Sequence, residues 1–223
     1  MYTTSNDTCR PLVSVITVTY NAAENLAVTL QSVASQTFPH YEHLVIDGAS
    51  TDDTPKVVES CRNPNLRFLS APDKGIYDAM NKGLAEAEGD YVVFLNAGDT
   101  FHAPDTLAAV ADLILENDFP GVVYGQTDLV DKERRRVGSR HLTAPESFAD
   151  GMLVCHQAFV ALRRLTDQYD LRYRFSADYD WCIRVLQHSR NNVLFPEVMV
   201  DYLNEGATTS NHRKSLMERF RIM

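Results

Sequence analysis

The 223-residue sequence lacks most of the short motifs by which enzyme classes are recognised. It has no GxGxxG turn and no GxxxxGK[ST] loop, which argues against a dinucleotide-binding fold and against a P-loop enzyme. It also has no HExxH zinc motif and no GxSxG nucleophile elbow. Its four cysteines are far apart and form no CxxC pair, which predicts free thiols in a reducing compartment.

Long apolar segments and a positive net charge are absent as well. No segment approaches the roughly 20 apolar residues that a membrane-spanning helix needs, and the polar first residues do not resemble a signal peptide. The net charge of −9 disfavours nucleic acid as a partner. We therefore expect a cytoplasmic protein, and peripheral contact with the inner face of the membrane stays open.

Short apolar runs alternate with helical patterns over the first 120 residues. Strands are predicted at 12–19, 42–46, 66–69 and 91–95, and helices at 22–35, 54–60, 75–88 and about 107–114. This βαβαβαβα order is typical of a doubly wound, mostly parallel α/β sheet. After Gly121 the pattern changes to shorter strands, a basic hairpin, a helix near 178–188 and a strand at 193–203.

Acidic loops follow two of the predicted strands. DGASTDDT begins at Asp47, and FLNAGD ends at Asp99. Ligands of open α/β sheets bind at the carboxyl ends of the strands, so these loops should share one rim. Like charges gathered there need a partner, and a base, a ribose or a divalent cation would each provide one.

A larger set of segments resembles glycosyltransferase family 2, which has the GT-A fold. The segments follow the order of the family and cover most of the chain: SVITVTYN at 14–21, LQSVASQTF at 30–38, VIDGASTDDT at 45–54, DKGIYDAMNKGLAEAEGDYVVFLNAGD at 73–99 and ADYDWCIR at 177–184. CHQAF at 155–159 further resembles the branch found in bacterial surface-polysaccharide synthesis. The resemblance implies one GT-A-like domain over residues 1–223. Its nucleotide-sugar half would span about 11–120, its acceptor half about 121–205, and an amphipathic basic tail 206–223.

The resemblance implies donor-binding roles for four residues. Tyr20 would lie against the nucleobase, and Asp47 would accept a hydrogen bond from the imide N–H of uracil. Asp73 and Asp78 would lie near the nucleotide and the donor sugar. The alternatives are purely structural roles, an Asx turn at Asp47 and a helix N-cap at Asp73. Asp78 is either solvated or faces the cleft.

Residues 96–99 occupy the position of the metal motif of the family. Asn96 and Gly98 stand where carboxylates are common, so Asp99 is the acidic residue left. Mg²⁺ or Mn²⁺ can be held by one carboxylate together with the phosphates of the donor. Asp99 is therefore the predicted metal ligand, with a turn aspartate as the alternative, and His212 is a weaker candidate.

Asp178 is the predicted catalytic base. At helical spacing it shares a face with Trp181, Cys182 and Val185, which directs it towards a pocket or the core. A positioned carboxylate there can take the proton of an acceptor hydroxyl. The family has an acidic pair at this point, and here its first member is Ala177. Asp180 is the second candidate, and it is equally explained as a charge in the first turn of a helix.

The acceptor side is less defined. His156 and Gln157 could line the acceptor site, although a hydrogen-bonded core histidine explains His156 as well. Arginines at 134–136 and 140 form a basic run that is either a solvated face or a site for a phosphate-bearing lipid. The basic tail could lie on an anionic membrane, pack on the core or contact a second subunit.

The predicted function is inverting transfer of a sugar, by single displacement, from a nucleotide diphosphate donor to an acceptor hydroxyl. The donor is expected to be a UDP-sugar and the acceptor a glycan or a lipid-linked glycan, with Mg²⁺ or Mn²⁺ as cofactor. A sugar nucleotidyltransferase is a rival, but it would need a glycine-rich, lysine-bearing loop after the first strand. A non-catalytic nucleotide-sugar-binding member of the family is the other rival.

Overall fold

The computed structural model describes residues 10–140, 154–204 and 212–222. The strands are β1 (Val13–Thr19), β2 (Tyr41–Asp47), β3 (Leu66–Ser70), β4 (Tyr91–Phe94), β5 (Thr100–Phe101), β6 (Val122–Val130), β7 (Arg136–Arg140), β8 (Phe159–Leu162) and β9 (Asn192–Leu203). The helices are α1 (Ala23–Ala34), α2 (Thr54–Ser60), α3 (Ile76–Glu86), α4 (Thr106–Glu116), α5 (Ala177–His188) and α6 (His212–Ile222). Short 3-10 turns lie at His156–Ala158 and Arg163–Leu165.

The strands form one sheet in the order β3-β2-β1-β4-β8-β6-β9-β5, and β7 pairs with β6. Strands β1 to β4 are all parallel. β1 pairs with β2 on one side and with β4 on the other, and β3 pairs with β2. The second half is mixed: β8 is antiparallel to both β4 and β6, whereas β9 runs parallel to β6. The predicted doubly wound GT-A-like α/β fold is confirmed, and its purely parallel part lies in the half predicted to bind the nucleotide sugar.

Helices cover both faces of the parallel strands, as their continuous apolar sequences require. Along β1, Val13 and Val15 face a cluster that includes α4, whereas Ile16 and Val18 face a cluster that includes α3 and α5. A third cluster lies between α1, α2 and β2. This alternation fixes the register and brings the carboxyl ends of β1, β2 and β4 to one edge.

Two elements of the sheet were not predicted. β5 has only two residues and pairs with β9, so its sequence is too short to show a pattern. β8 is a buried strand of four residues that follows the 3-10 turn at His156–Ala158. No helix within the described parts of the chain is long and apolar enough to cross a membrane.

Candidate active site

Backbone and side-chain hydrogen bonds join the loops after β1 and β2. Asn21 has a left-handed backbone with φ of 47°, a conformation that asparagine tolerates. Its Oδ1 accepts the N–H of Thr51 at 2.8 Å, and its own N–H donates to Ser50 Oγ at 2.8 Å. Ala22 N–H donates to Thr54 Oγ1 at 3.1 Å. These bonds fix the two loops against each other at the rim.

Tyr20, Gly48 and Asp73 meet at this edge. A Cβ on Gly48 would lie 2.6 Å from Asp73 Oδ2 and 3.2 Å from Tyr20 Cδ2, so a larger residue would displace the Asp73 side chain. Tyr20 is 63% exposed and offers an open ring face next to Asp73. The structure thus brings together two of the predicted donor-binding residues and explains the glycine after Asp47.

Asp47 is completely buried at the end of β2. Its carboxylate accepts hydrogen bonds from Ser50 N–H at 3.0 Å and from Ser70 Oγ at 2.6 Å, and Ser50 Oγ donates to its other oxygen. These bonds hold the loop after β2, which is the turn role weighed as its alternative. Binding of a base by Asp47 stays a prediction.

Asp73 and Asp78 accept backbone hydrogen bonds at the start of α3. Asp73 Oδ1 accepts the N–H of Gly75 at 2.8 Å, an Asx turn. The helix N-cap is Gly75, with φ of 120°, and it has no side-chain cap bond. Asp78 lies in the first turn and accepts the N–H of Lys74 at 3.0 Å. Asp78 is half-buried, so it is not a fully solvated residue.

The loop at 96–99 holds β9 in place. Asp99 is 3% exposed, and its Oδ1 accepts the N–H of Leu203 at 2.9 Å. Burial raises the pKa of Asp99 to about 7, against the opposing effects of the Leu203 N–H, Arg134 and Gln157. Gly98 has φ of 104°, and a Cβ there would lie 2.7 Å from Leu203 Cδ2. A carboxylate at position 98 is therefore strained, which gives a physical reason for the departure from the family motif.

The same loop provides one free oxygen for a divalent cation. Asn96 Oδ1 is buried and has no hydrogen-bond partner among the described residues. An amide oxygen is a ligand of the hard type that Mg²⁺ and Ca²⁺ take. The residues present thus fit a cation here through Asn96, and Asp99 could add a ligand only with its carboxyl already bonded through Oδ1 to the Leu203 N–H.

A second group of possible ligands lies on the neighbouring strands. Atoms of His102, Asp128 and Asp201 lie within 4.8 Å of one another. His102 Nδ1 is 2.8 Å from Asp201 Oδ1, and Asp128 Oδ2 is 2.8 Å from Arg136 Nε. Arg136 thus pairs with one carboxylate of this group, and His102 forms a hydrogen bond with the other.

Asp178 lies in the first turn of α5 and is half-buried. Its Oδ1 accepts a hydrogen bond of 3.0 Å from the hydroxyl of Tyr77, which lies in the first turn of α3. Burial and the nearby Asp178 raise the pKa of Tyr77, so the phenol keeps its proton and donates. This bond joins the donor half to the acceptor half at the residue predicted as the base.

Asp180 has a different environment. Its Oδ2 is 2.8 Å from Arg184 Nε, one helical turn further along α5. Arg184 also donates to the carbonyl of Gln168 at 2.9 Å. The second candidate for the base is therefore paired with a cation, whereas Asp178 is bonded to a neutral hydroxyl.

A buried aromatic cluster lies beneath Asp178. Tyr169 stacks on Trp181 with ring centroids 5.2 Å apart and on Tyr77 at 5.7 Å. His156 stacks on Phe94 at 5.0 Å, and its Nε2 is 2.6 Å from the Tyr169 hydroxyl. Burial lowers the pKa of His156 to about 4, so its ring is neutral at neutral pH.

This environment matches the core histidine weighed for His156. Gln157 is also buried, at 7% exposure, and its Oε1 lies 2.9 Å from Cys155 Sγ. Direct contact of His156 or Gln157 with an acceptor stays a prediction. In the structure His156 bonds to Tyr169 within the aromatic cluster, and Gln157 is a hydrogen-bond partner of Asp99.

Two arginines of the basic run are paired with acids, and a third bonds to neutral groups. Arg134 donates to the carbonyl of Gly98 at 2.7 Å and to the Thr100 hydroxyl. Arg135 pairs with Asp131 at 2.8 Å, and Arg136 pairs with Asp128. The interpretation as a solvated, paired face fits better than a phosphate site. The side chain of His212, the weaker metal candidate, lies outside the described residues.

Sequence reasoning missed Tyr77 and Asn21. Tyr77 lies 101 residues from Asp178 along the chain, and no spacing rule links positions so far apart. The signal that was present is a tyrosine at the start of α3, directly before Asp78. For Asn21 the signal was an asparagine directly after a strand, because asparagine favours the left-handed turn found there.

The sequence comparisons agree with this geometry. Residues 14–168 match the family model of "Glycosyl transferase family 2". The chain belongs to this family, and it is a glycosyltransferase.

Two relatives of known class are similar to this chain over most of its length. A PGL/p-HBAD biosynthesis glycosyltransferase of Mycobacterium bovis is 35% identical over 212 residues, covering 90% of this chain and 80% of the relative. The amylovoran biosynthesis glycosyltransferase AmsB of Erwinia amylovora is 26% identical, covering 90% of this chain and 72% of the relative. The resemblance to the branch of polysaccharide biosynthesis is thus confirmed.

Solved structures show the same fold. S. aureus TarS 1-349 in complex with UDP-GlcNAc has a TM-score of 0.71 and 24% identity, with 89% of this chain and 60% of that chain covered. The mannosyltransferase PcManGT from Pyrobaculum calidifontis, in complex with GDP-Man and Mn²⁺, has a TM-score of 0.69 and 23% identity, covering 96% and 64%. The chain thus spans less than two thirds of the length of these structures.

Proposed function

We propose that the protein transfers a sugar from a nucleotide diphosphate donor, a UDP-sugar, to a hydroxyl of a glycan or lipid-linked glycan, with inversion at the anomeric carbon. The observation that carries this proposal is the half-buried Asp178 carboxylate, held by the Tyr77 hydroxyl where the two halves meet. The UDP-GlcNAc complex of TarS and the GDP-Man complex of PcManGT support a nucleotide-sugar donor of this class.

In this proposal the donor lies at the carboxyl ends of β1 and β2. The exposed ring of Tyr20 offers a stacking face for the base. Asp47 is proposed to accept the base N–H, and Asp73 and Asp78 to orient the loop at Lys74 and Gly75 beside the donor. The donor would then lie beside α3, whose first turn also carries Tyr77.

The reaction is a single displacement. The acceptor oxygen forms a bond to the anomeric carbon while the bond from that carbon to the phosphate oxygen breaks. The acceptor proton moves to an oxygen of Asp178, and the nucleoside diphosphate leaves with the electron pair. Tyr77 holds Asp178 Oδ1, so that the other oxygen faces the acceptor.

Mg²⁺ or Mn²⁺ is the proposed cofactor, and when bound it would neutralise charge on the leaving diphosphate. Asn96 Oδ1 and the carboxyl of Asp99 are the residues of this chain proposed to hold it. His156 and Gln157 are proposed to support the acceptor side. The buried neutral imidazole adds no positive charge next to Asp178.

A ligand screen tests the donor proposal without an acceptor. The melting temperature of the protein should rise with UDP and with one or more UDP-sugars, and more so with Mg²⁺ or Mn²⁺ present, because ligands of the native state stabilise it. GDP, ADP and CMP are the matched controls. A larger shift with GDP would correct the base, and no shift with any nucleotide would contradict the donor site.

A further inference from the structure

The helix α6 is attached to the rest of the protein by its polar side. Glu218 accepts the backbone N–H groups of Arg174 at 3.0 Å and Phe175 at 2.8 Å. Ser215 Oγ is 2.9 Å from Ser176 Oγ, the residue before α5. The guanidinium of Arg219 lies 5.5 Å from the ring centre of Tyr179. These contacts fix which face of α6 points outwards.

The outward face is apolar. Leu216, Met217 and Phe220 are 49%, 60% and 78% exposed, and helical spacing places them on one stripe. Phe220 is the most exposed large hydrophobic side chain in the described parts of the chain. Helices on globular proteins normally turn the apolar stripe inwards. Here the polar contacts of Glu218 and Ser215 hold it in the opposite orientation.

Positive charge accompanies this stripe. α6 carries Arg213, Lys214, Arg219 and Arg221 against one acid, Glu218, in a chain with a net charge of −9. Lys214 and Arg221 are exposed. The rest of the chain is acidic and would be repelled by an anionic surface. α6 is therefore a local exception to the charge of the chain.

We propose that α6 lies flat on a bilayer that contains anionic lipid. Phe220, Met217 and Leu216 would enter the boundary between headgroups and acyl chains, while Lys214 and Arg221 contact lipid phosphates. An apolar stripe flanked by cations is the pattern of interfacial helices. The sequence left membrane, core and second subunit open for this tail. The structure shows one face packed on the protein and leaves the other for the lipid.

A consequence for the reaction rests on the proposed function. Glu218 holds Arg174 and Phe175, which come shortly before Asp178 in the first turn of α5. A bilayer against α6 would bring Asp178 near the membrane surface. A lipid-linked acceptor could then reach the base without leaving the bilayer.

Vesicle flotation tests the surface directly. The full chain should float with vesicles of phosphatidylcholine and phosphatidylglycerol at about 3:1 and bind phosphatidylcholine alone about tenfold less, because cations favour anionic headgroups. High salt should weaken the binding through screening. This measurement needs neither donor nor turnover, so it can fail while the proposed glycosyl transfer holds, and the reverse.

Two variants locate the contact. Phe220→Ser combined with Met217→Ser should lower vesicle binding by about tenfold, and Lys214→Glu combined with Arg221→Glu should abolish the preference for phosphatidylglycerol. Phe119→Ser and Val137→Ser are matched controls, since these side chains are 44% and 55% exposed elsewhere and should leave binding unchanged. The melting temperature of each variant shows that the fold persists.

Three results would overturn the proposal. The first is the absence of binding to either vesicle. The second is equal loss in the Phe119 or Val137 variants. The third is a dimer in solution that the Phe220 and Met217 substitutions dissociate without any vesicle binding. That last result would assign the stripe to a second copy of the chain.

Discussion

The proposed donor half, up to about residue 120, and the proposed acceptor half after it hold the predicted site residues in different ways. In the donor half, Asp47, Asp73 and Asn21 bond to backbone or serine groups of neighbouring strand-end loops. In the acceptor half, Asp178 takes a hydrogen bond from Tyr77, which belongs to the donor half. The comparison indicates that donor loops are ordered locally, whereas the proposed base is ordered only when both halves are packed together.

The largest effect on stability is expected in the buried aromatic cluster around Trp181, in the acceptor half. Trp181 is fully buried, stacks on Tyr169, and donates from Nε1 to the carbonyl of Asp167 at 2.8 Å. Trp181→Ala should lower the free energy of unfolding by about 3–5 kcal/mol. Tyr20→Ala, in the exposed donor cleft, should change it by less than about 0.5 kcal/mol. Urea unfolding of both variants measures this difference. Comparable losses of unfolding free energy in the two variants would contradict the contrast between the two halves.

The second effect concerns the pH dependence of stability at Asp99. Burial raises the pKa of Asp99 to about 7 in the fold from the 3.8 of an ordinary aspartate, so between pH 4 and 7 the folded state binds more protons than the unfolded state. Stability provided by this group is complete at low pH and is lost as pH rises to about 7. The loss is at most about 4 kcal/mol.

Asp99→Asn cannot titrate and should remove this dependence. The difference in unfolding free energy between Asp99→Asn and the parent protein should shift in favour of the variant as pH rises from 4 to 8. His156, with its lowered pKa of about 4, has the opposite effect on stability, but it is present in both proteins and cancels. A difference that stays constant with pH would show that Asp99 is already ionised in the fold across this range.

The smallest effect should come from the bond between the halves. Tyr77→Phe keeps the stacking on Tyr169 and removes only the hydroxyl bonded to Asp178. A hydrogen bond to a charged group contributes about 1.5–3 kcal/mol, so turnover at saturating donor should fall about 10- to 150-fold. Donor affinity should stay the same, because the donor loops do not depend on this bond. Weaker donor binding with unchanged turnover would reverse the roles assigned to the two halves.

The same contrast explains what could be predicted from the sequence. The parallel half was predictable because each strand is a short apolar run with a helix after it, and the ends of α2 at Thr54 and Ser60 match the expected range. Two strands of the mixed part, β5 and β8, were not predicted, since each has only two or four residues and pairs with strands far away in the sequence. Strand-end position predicted that the loop beginning at Asp47 and the loop ending at Asp99 would share one rim. It could not predict that the carboxyl of Asp99 would turn inwards to the Leu203 N–H, 104 residues later.

Asp178 and Asp180 show most clearly what could not be predicted from the sequence. Helical spacing separated the two faces of α5 correctly, but it could not reveal their partners. Arg184, one turn away, was visible in the sequence as the partner of Asp180. Tyr77 was not visible as the partner of Asp178, because only the tertiary fold brings α3 to α5.

The central claim is that Asp178 is the base, and the most direct measurement compares Asp178→Asn with Asp180→Asn at saturating donor. Turnover is followed as sugar transfer to an acceptor, or as hydrolysis of the UDP-sugar that the ligand screen selects. Asp178→Asn should lower the rate about 10²–10⁴-fold with donor affinity retained, because a positioned base contributes that much. Asp180→Asn should lower it by less than about threefold, since it loses only a partly exposed ion pair with Arg184. Normal turnover in Asp178→Asn, or loss of turnover in Asp180→Asn alone, would contradict the account.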